Sequence, residues 1–587
     1  MMQSPRSIIL AILAVITLVL GVIKAAGGFS ARDPSPRGIA ARFLASAGVD
    51  QGAADPPSEP TQALFTDVAP AMGIRFIHDN AARGNYFLPE EMGPGAGFLD
   101  YDGDGDLDVF VAAGGAIIGD GPAQTCRLYR NDGDRFTDVT EAANVAVVGP
   151  AYGVACTDYD DDGDVDIFIS RLGPNALLRN EGDGRFTEVA HEAGVADAGF
   201  GAGAAFFDYD RDGRLDLYLS NYVAWNVQGE AMCYTVLGIR DYCSPTVYKA
   251  PSRDKLYRNV GAGRFDDVSE TAGIANEVGN GLGVLASDFD GDGWCDVYVA
   301  NDQTPAFLWH NNGDGTFENV AALNGCAYDG RGVAIAGMGV ACEDLDSDGD
   351  FDLLVTNIRG QMHLALQNEG GFFEDISLRM GIAAWSMPAT TFGIAVFDQD
   401  NDGRLDGFFA NGEVNVTNAL PVGANPYAQP DHFVRLLRGR LVDTTQASGA
   451  AFGDVGRGVA CADYDNDGDL DLLVTNNGGP LRLLRNNNDT SNTWLVVDAR
   501  TGPGRRAAIG ARVAVTIGDK TFYREIRPQQ SYLSSGDPRA HFGLGRAAQV
   551  DQLEVLWPDG SRSVRTDLPV NQFLRIDPNS EAAKRSP

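Results

Sequence analysis

The chain is short of positive charge: 45 Lys and Arg stand against 81 Asp and Glu in 587 residues, a formal net charge of −36. Phosphate recognition needs clustered Lys and Arg, so no nucleic-acid partner is expected. Histidine is scarce. His78, His191, His310, His363, His432 and His541 are scattered, and none falls in an HExxH pair. No Gly-x-Ser-x-Gly elbow occurs. The eight cysteines include no CxxC, which argues against a thiolate zinc site. No catalytic residues are assigned, and the balance is against an enzyme. Apolar runs are short as well. From Ser7 to Ile23, between Arg6 and Lys24, about 16 residues are apolar. That fits a signal sequence and is marginal for a spanning helix, which needs ~20 residues. Residues 1–27 are therefore read as a signal peptide or a signal anchor. Residues 28–60, rich in Ala, Pro, Gly and Ser, are read as a linker.

Aspartate is abundant, and it is patterned. One phrase occurs seven times, as DYDGDGDLD from Asp100, DYDDDGDVD from Asp158, DYDRDGRLD from Asp208, DFDGDGWCD from Asp288, DLDSDGDFD from Asp344, DQDNDGRLD from Asp398 and DYDNDGDLD from Asp463. Every copy keeps Asp at positions 1, 3, 5 and 9 and Gly at position 6. Hard cations such as Ca2+ take six to eight oxygen ligands, which alternate carboxylates on a tight loop supply. Position 7 varies freely, as expected where only its backbone carbonyl faces an ion.

The expected ligands are Asp100, Asp102, Asp104 and Asp108 with Asp106 at position 7, and Asp158, Asp160, Asp162 and Asp166 with Asp164. The third and fourth sets are Asp208, Asp210, Asp212 and Asp216 with Arg214, and Asp288, Asp290, Asp292 and Asp296 with Trp294. Then come Asp344, Asp346, Asp348 and Asp352 with Asp350, and Asp398, Asp400, Asp402 and Asp406 with Arg404. The seventh is Asp463, Asp465, Asp467 and Asp471 with Asp469. No Glu stands at position 12, so these are calcium loops between strands and not EF-hands. About seven structural Ca2+ are expected.

The loops begin 58, 50, 80, 56, 54 and 65 residues apart, a period that indicates a propeller or a solenoid. Each is followed by a β-branched or aromatic run such as LDVFVAA or LDLLVTN, too short for a helix. Each is preceded, five residues before its first Asp, by Gly95, Gly153, Gly203, Gly283, Gly339, Gly393 or Gly458. A glycine fixed at one strand position marks close backbone approach, which is expected where inner strands crowd an axis. A second hairpin, typified by Leu177–Ala190, completes four strands per repeat. The last-strand phrase occurs once before the first loop, at Leu64–Val68, and is missing after the seventh. The N-terminal strand is therefore expected to complete the last blade and close a ring. The fold class is all-β: a seven-bladed propeller over 61–490 and a small β-domain over 491–587.

The long third interval holds an insertion at 221–252. Its Cys233 and Cys243 are disulfide candidates in an exported chain, and its aromatics are expected to pack on the propeller face. Cys156, Cys342 and Cys461 sit where other repeats carry Phe or Val and read as buried apolar residues. Glu90, Glu91, Asp302 and Glu413 are expected on one face as solvated loop carboxylates. Residues 491–587 carry 14 basic and 10 acidic side chains, +4 against −40 for the rest, and the spread of the basic residues suits docking on the acidic ring.

The repeats resemble FG-GAP/VCBS repeats, the propeller units of integrin α chains. The stretch AIGARVAVTIGDKTFYREIRPQQSYLSSGDPRAHFGLG, followed by VDQLEVLWPDGS, resembles the ASPIC/UnbV domain. Together they are similar to the cartilage acidic protein family in its bacterial form, from about 61 to 577. The resemblance implies a secreted, periplasmic or cell-surface calcium-binding propeller. The expected role is binding, scaffolding or adhesion, with a protein or carbohydrate ligand on the propeller face or the insertion. Any membrane contact would run through the N-terminal anchor. The alternative is an exported enzyme or biosynthetic accessory protein that uses the channel face.

Overall fold

The computed structural model describes residues 63–117, 124–236, 238–416 and 425–578. The expected signal segment and linker lie outside them. Among the described residues no helix is long and apolar enough to cross a membrane, and helices such as Ala190–Ala193 are single turns.

Seven sheets of the described residues share a plan of four antiparallel strands, here called blades one to seven in the order of the acidic loops, and the sheet of blade one also takes in Gln529–Gln530 and Ser534–Ser535. In blade two, for example, Ala151–Thr157 pairs with Asp166–Arg171, then Ala176–Asn180, then Phe186–Glu188. The acidic loop joins the first strand to the second. In blade three the expected insertion separates the second strand, Asp216–Asn221, from the third, Lys255–Gly261. Blade seven takes its fourth strand from the N-terminal side: Phe65–Asp67 pairs with Arg482–Asn486, with Phe65 opposite Asn486. Phe65 is buried among Phe397, Phe408 and Phe433 at centroid distances of 5.4–6.4 Å.

The innermost strands touch one another in sequence, and Gly456–Ala462 of blade seven returns to Ala96–Leu99 of blade one. The repeated glycines sit at these contacts. A Cβ at Gly153, Gly203, Gly283, Gly339 or Gly393 would lie 2.2–2.4 Å from a carbonyl oxygen of the next inner strand. The apolar core is divided accordingly into wedges between neighbouring sheets. Phe168, Leu217 and Tyr257 fill the wedge between blades two and three, and Tyr298, Leu353 and Phe373 the wedge between four and five. Cys156 and Cys342 lie inside such wedges as read from sequence, whereas Cys461 is only half-buried.

From Trp494 the pattern changes. Trp494–Thr501 pairs with Ala540–Gly543 and, in parallel, with Gln572–Ile576. Lys520–Glu525, Arg512–Ile517, Gln549–Leu556 and Arg562–Pro569 form a second sheet. Leu495, Val513, Phe542, Leu553 and Trp557 make the separate core of this domain.

Candidate functional site

The two ends of the ring differ, and each places a set of side chains. At the loop end the backbone holds the carboxylates. The first Asp accepts the N–H of the loop Gly: Asp158 from Gly163 at 2.9 Å, Asp398 from Gly403 at 2.7 Å and Asp463 from Gly468 at 2.9 Å. The fifth-position Asp accepts the N–H of position 7, as Asp292 does from Trp294 at 2.7 Å. The ninth-position Asp is buried and, in every loop but that of Asp406, accepts two N–H groups. Asp108 takes those of Tyr101 at 3.0 Å and Asn131 at 2.8 Å.

Carboxylate oxygens of Asp100, Asp102 and Asp108 converge within 4.8 Å, as do those of Asp158, Asp160 and Asp166 and those of Asp208, Asp210 and Asp216. Burial, reinforced by neighbouring carboxylates, raises Asp108, Asp216 and Asp296 to about 8, Asp463 to about 7 and Asp158 to about 6. Asp160 Oδ1, Asp208 Oδ1, Asp400 Oδ1 and Asp406 Oδ2 are buried without a hydrogen-bond partner. This donor set, oxygen-rich, converging and short of partners, suits a hard cation. In two loops a guanidinium stands close by: Arg258 lies 2.6 Å from Asp210, and Arg435 pairs with Asp400.

The ninth-position Asp has a partner that the sequence reading missed. An Asn at or near the end of the third strand donates its side-chain N–H to the loop carbonyl of the preceding blade. Asn180 reaches Tyr101 at 2.8 Å, Asn259 reaches Tyr159 at 2.9 Å, Asn311 reaches Tyr209 at 2.8 Å and Asn368 reaches Phe289 at 2.9 Å. Asn486 reaches Gln399 at 2.8 Å, and Asn131 closes the circuit on Tyr464 of blade seven at 3.0 Å. Blade six has Leu436 at this register. The signal was present as the repeated Arg-Asn or similar pair at 130–131, 179–180, 258–259 and 485–486.

The C-terminal domain covers the loop end. Arg506 donates to Gly213 O at 2.9 Å, Arg512 to Asp288 O, Arg527 to Cys342 O at 2.7 Å, and His541 meets Gly468 O at 2.9 Å. The basic residues dock on the ring, as the sequence suggested. The domain also sends a tongue, residues 528–536, into the ring. Ser531 exchanges backbone hydrogen bonds with Val340 at 2.7 and 3.1 Å. Leu533 O accepts from Val154 N at 3.0 Å, Ser531 Oγ from Ile394 N at 2.9 Å and Ser535 Oγ from Cys156 N at 3.2 Å. Inner-edge N–H groups of blades two, five and six thereby find partners. Tyr532 is fully buried against Phe392, and its hydroxyl donates to Met92 O at 3.2 Å. The axis is thus occupied by the protein's own chain.

The opposite end is built from the insertion, the segment before blade one and the turns after the second strands. A disulfide joins Cys233 to Cys243, and Cys233–Tyr234 pairs with Arg240–Asp241 in a hairpin. Tyr222 and Tyr242 are buried, and Trp225 packs on Phe87, so most of the insertion's aromatics lie on the ring as expected. Tyr234 does not, and Met232, Tyr234, Val236 and Ile239 are exposed together. The expectation of solvated carboxylates is corrected here. Glu90, Glu91, Asp302 and Glu413 are all buried, because ring closure carries these turns under the insertion. Tyr242 donates to Glu90 at 3.0 Å and Tyr222 to Asp302 at 2.7 Å. Glu413 pairs with Arg359 at 2.6 Å. Burial raises Glu90 to about 7 and Asp302 to about 6.

Comparison with known proteins adds to this geometry. An FG-GAP-like repeat model matches residues 100–169, 158–219, 238–299, 288–340 and 344–409, and an ASPIC and UnbV model matches 501–583. The chain is 32% identical to cartilage acidic protein 1 of Homo sapiens over 343 residues, 56% of this chain and 48% of that protein. It is 32% identical to the Xenopus tropicalis protein over 336 residues, 52% of this chain and 49% of that one. The chain thus spans about half the length of the curated relatives it matches. Among solved structures, the BP39L lectin from Burkholderia pseudomallei aligns at TM-score 0.39 and 13% identity, covering 68% of this chain and 96% of that one. YCF48 bound to D1 peptide aligns at 0.38 and 8%, covering 73% and 99%.

Proposed function

We propose, for a chain that belongs to the FG-GAP repeat proteins with a C-terminal ASPIC/UnbV domain, that it is an exported, calcium-stabilised binding or scaffold protein. The ions are structural, and the end of the ring away from the C-terminal domain is the contact surface. Ca2+ would be held by the Asp carboxylates of the seven loops and the position-7 carbonyls. Its charge would offset carboxylates that otherwise repel one another in a partly buried setting. Export is supported by the Cys233–Cys243 disulfide, which oxidising compartments favour.

One observation carries the assignment of the surface. The loop end is covered and the axis is filled, whereas the stapled hairpin leaves Met232, Tyr234, Val236 and Ile239 exposed together. Clustered exposed apolar side chains mark interaction sites. The ligand class is protein or carbohydrate. Calcium-loaded protein and a Tyr234→Ser, Ile239→Ser variant are compared on peptide and glycan arrays. Ligands bound by the wild type and lost in the variant support the reading. Ligands bound equally by both, or no bound ligand, overturn it.

A further inference from the structure

Beneath the stapled hairpin lies a cavity of about 60 Å3. Glu91, Asp302, Tyr222, Ser244, Gln303 and Asn415 supply its polar wall, and the rest is mostly apolar, Met92 and Met338 included. These groups come from the segment before blade one and from blades three to six, so the cavity exists only in the assembled ring. Glu91 is 9% exposed and Asp302 6%. Glu91 Oε1 and Asp302 Oδ1 are buried with no hydrogen-bond partner among the described residues. The Asp302 carboxylate uses its other oxygen for the Tyr222 hydroxyl.

Among the neighbours, Gln303 bears on Asp302 but is neutral and makes no hydrogen bond to Oδ1. Arg457 bears on Glu91, but its Nε donates to the Glu91 backbone carbonyl at 2.8 Å and its Nη1 to Gly412 O and Gly456 O at 3.1 and 2.9 Å. Its guanidinium carbon sits 3.8 Å from the centroid of Phe392. Asp241, which also bears on Glu91, is satisfied by Tyr427 at 2.9 Å and by the N–H of Tyr242 at 3.0 Å. An unpaired carboxylate oxygen in an apolar wall is costly, and the deficit is of hydrogen-bond donors and positive charge.

A hard divalent ion wants six or more oxygen ligands. This wall offers two free carboxylate oxygens, and its other polar groups, on Tyr222, Ser244, Gln303 and Asn415, are neutral. A primary ammonium fits better, since it brings three N–H donors and one charge on an apolar stem. We propose that this cavity is a binding site for a primary alkylammonium group, entered head-first, with Glu91 and Asp302 as the acceptors. The inference rests on the reading of this end as the contact surface. The ammonium belongs either to a free amine or to a lysine side chain of a bound partner.

The test is titration of the calcium-loaded protein with n-butylammonium, neutral n-butanol and Nα-acetyl-lysine methylamide, followed by calorimetry and by the methyl resonances of 13C-methionine. Saturable one-to-one butylammonium binding is expected, with Met92 and Met338 shifted and n-butanol inert. Glu91→Gln and Asp302→Asn should each weaken it at least tenfold. Binding of the lysine amide as well assigns the site to a partner's lysine, and binding of butylammonium alone assigns it to a free amine. Absence of saturable butylammonium binding to the wild type overturns the site, as does equal binding by butylammonium and n-butanol. The wild-type methionine shifts decide even if a variant fails to fold. The array comparison of hairpin variants is read separately, so loss of the ammonium site and loss of the contact surface give different results.

Discussion

The two ends of this ring solve opposite electrostatic problems. At the loop end, repeated carboxylate clusters are held largely by their own backbone and covered by a domain of opposite charge. At the other end, carboxylates from unlike segments meet once, under a disulfide-stapled insertion. Repetition suits the first end to stability, because one arrangement recurs from blade to blade. Singularity makes the second end suited to recognition, because nothing there is averaged round the ring.

Calcium removal should separate the ends most strongly. A ligand that binds only the native state stabilises by about 2.7 kcal/mol per site at 100 times Kd. EGTA should therefore lower the melting temperature by on the order of 10 °C or more, given several such sites. Ca2+ should restore it and Mg2+ only in part. Hydrogen exchange should rise first in the loops and later under the stapled hairpin. An unchanged melting curve would remove calcium from the account.

Breaking closure comes next. Phe65→Ala leaves a void among three phenylalanines and should cost about 3–5 kcal/mol, read by denaturant unfolding. Deleting residues 61–72 should expose an edge of blade seven and cause aggregation, seen by light scattering. A smaller loss is expected from the blade-to-blade clasps. Asn259→Ala removes the side-chain donor to Tyr159 O and Leu215 O and should cost about 1–3 kcal/mol.

The staple should act on the far end alone. The Cys233→Ser, Cys243→Ser double variant should keep its melting temperature in Ca2+ while protease cleaves between about 225 and 250. The chain-entropy model gives such a closure ~2–3 kcal/mol, here spent locally. Global unfolding would show that the insertion belongs to the core. The smallest effect concerns pH. Glu90 is raised to about 7 by burial, with the Tyr242 hydroxyl on it and Glu230 and Arg83 acting from a distance. A raised carboxyl adds stability below its unfolded value, and that stability is lost as pH rises through about 7. Glu90→Gln should therefore flatten the fall in stability between pH 5 and 8, measured by thermal melts in Ca2+.

Much of the loop end was legible in the sequence because its physics is local and repeated. The spacing of Asp100 to Asp108 recurs, and Gly153 and its equivalents mark the close approach of inner strands. The early copy of the last-strand phrase placed Phe65 in blade seven. The clasping asparagines were equally legible, and only their role went unread. The far end was not legible for a physical reason. Glu91 and Asp302 are brought together by ring closure, and nothing in either neighbourhood marks burial. The tongue was also hidden: Gln529–Ser535 has no apolar period, since it is held by backbone and hydroxyl groups meeting inner strand edges.

That tongue sets the order of assembly. Gly97 of blade one pairs with Ser535, and Phe65 pairs with Asn486, so both contacts join the beginning of the ring to sequence hundreds of residues later. The first six blades each draw their four strands from one stretch of sequence. The seam between blades seven and one cannot close fully before Ser535, far along the chain from Gly97, has been made. Loop closure over such separations is slow compared with local hairpin formation. Without the tongue the inner-edge N–H groups of Val154, Val340 and Ile394 lose their partners, so the C-terminal domain acts as a latch on the ring.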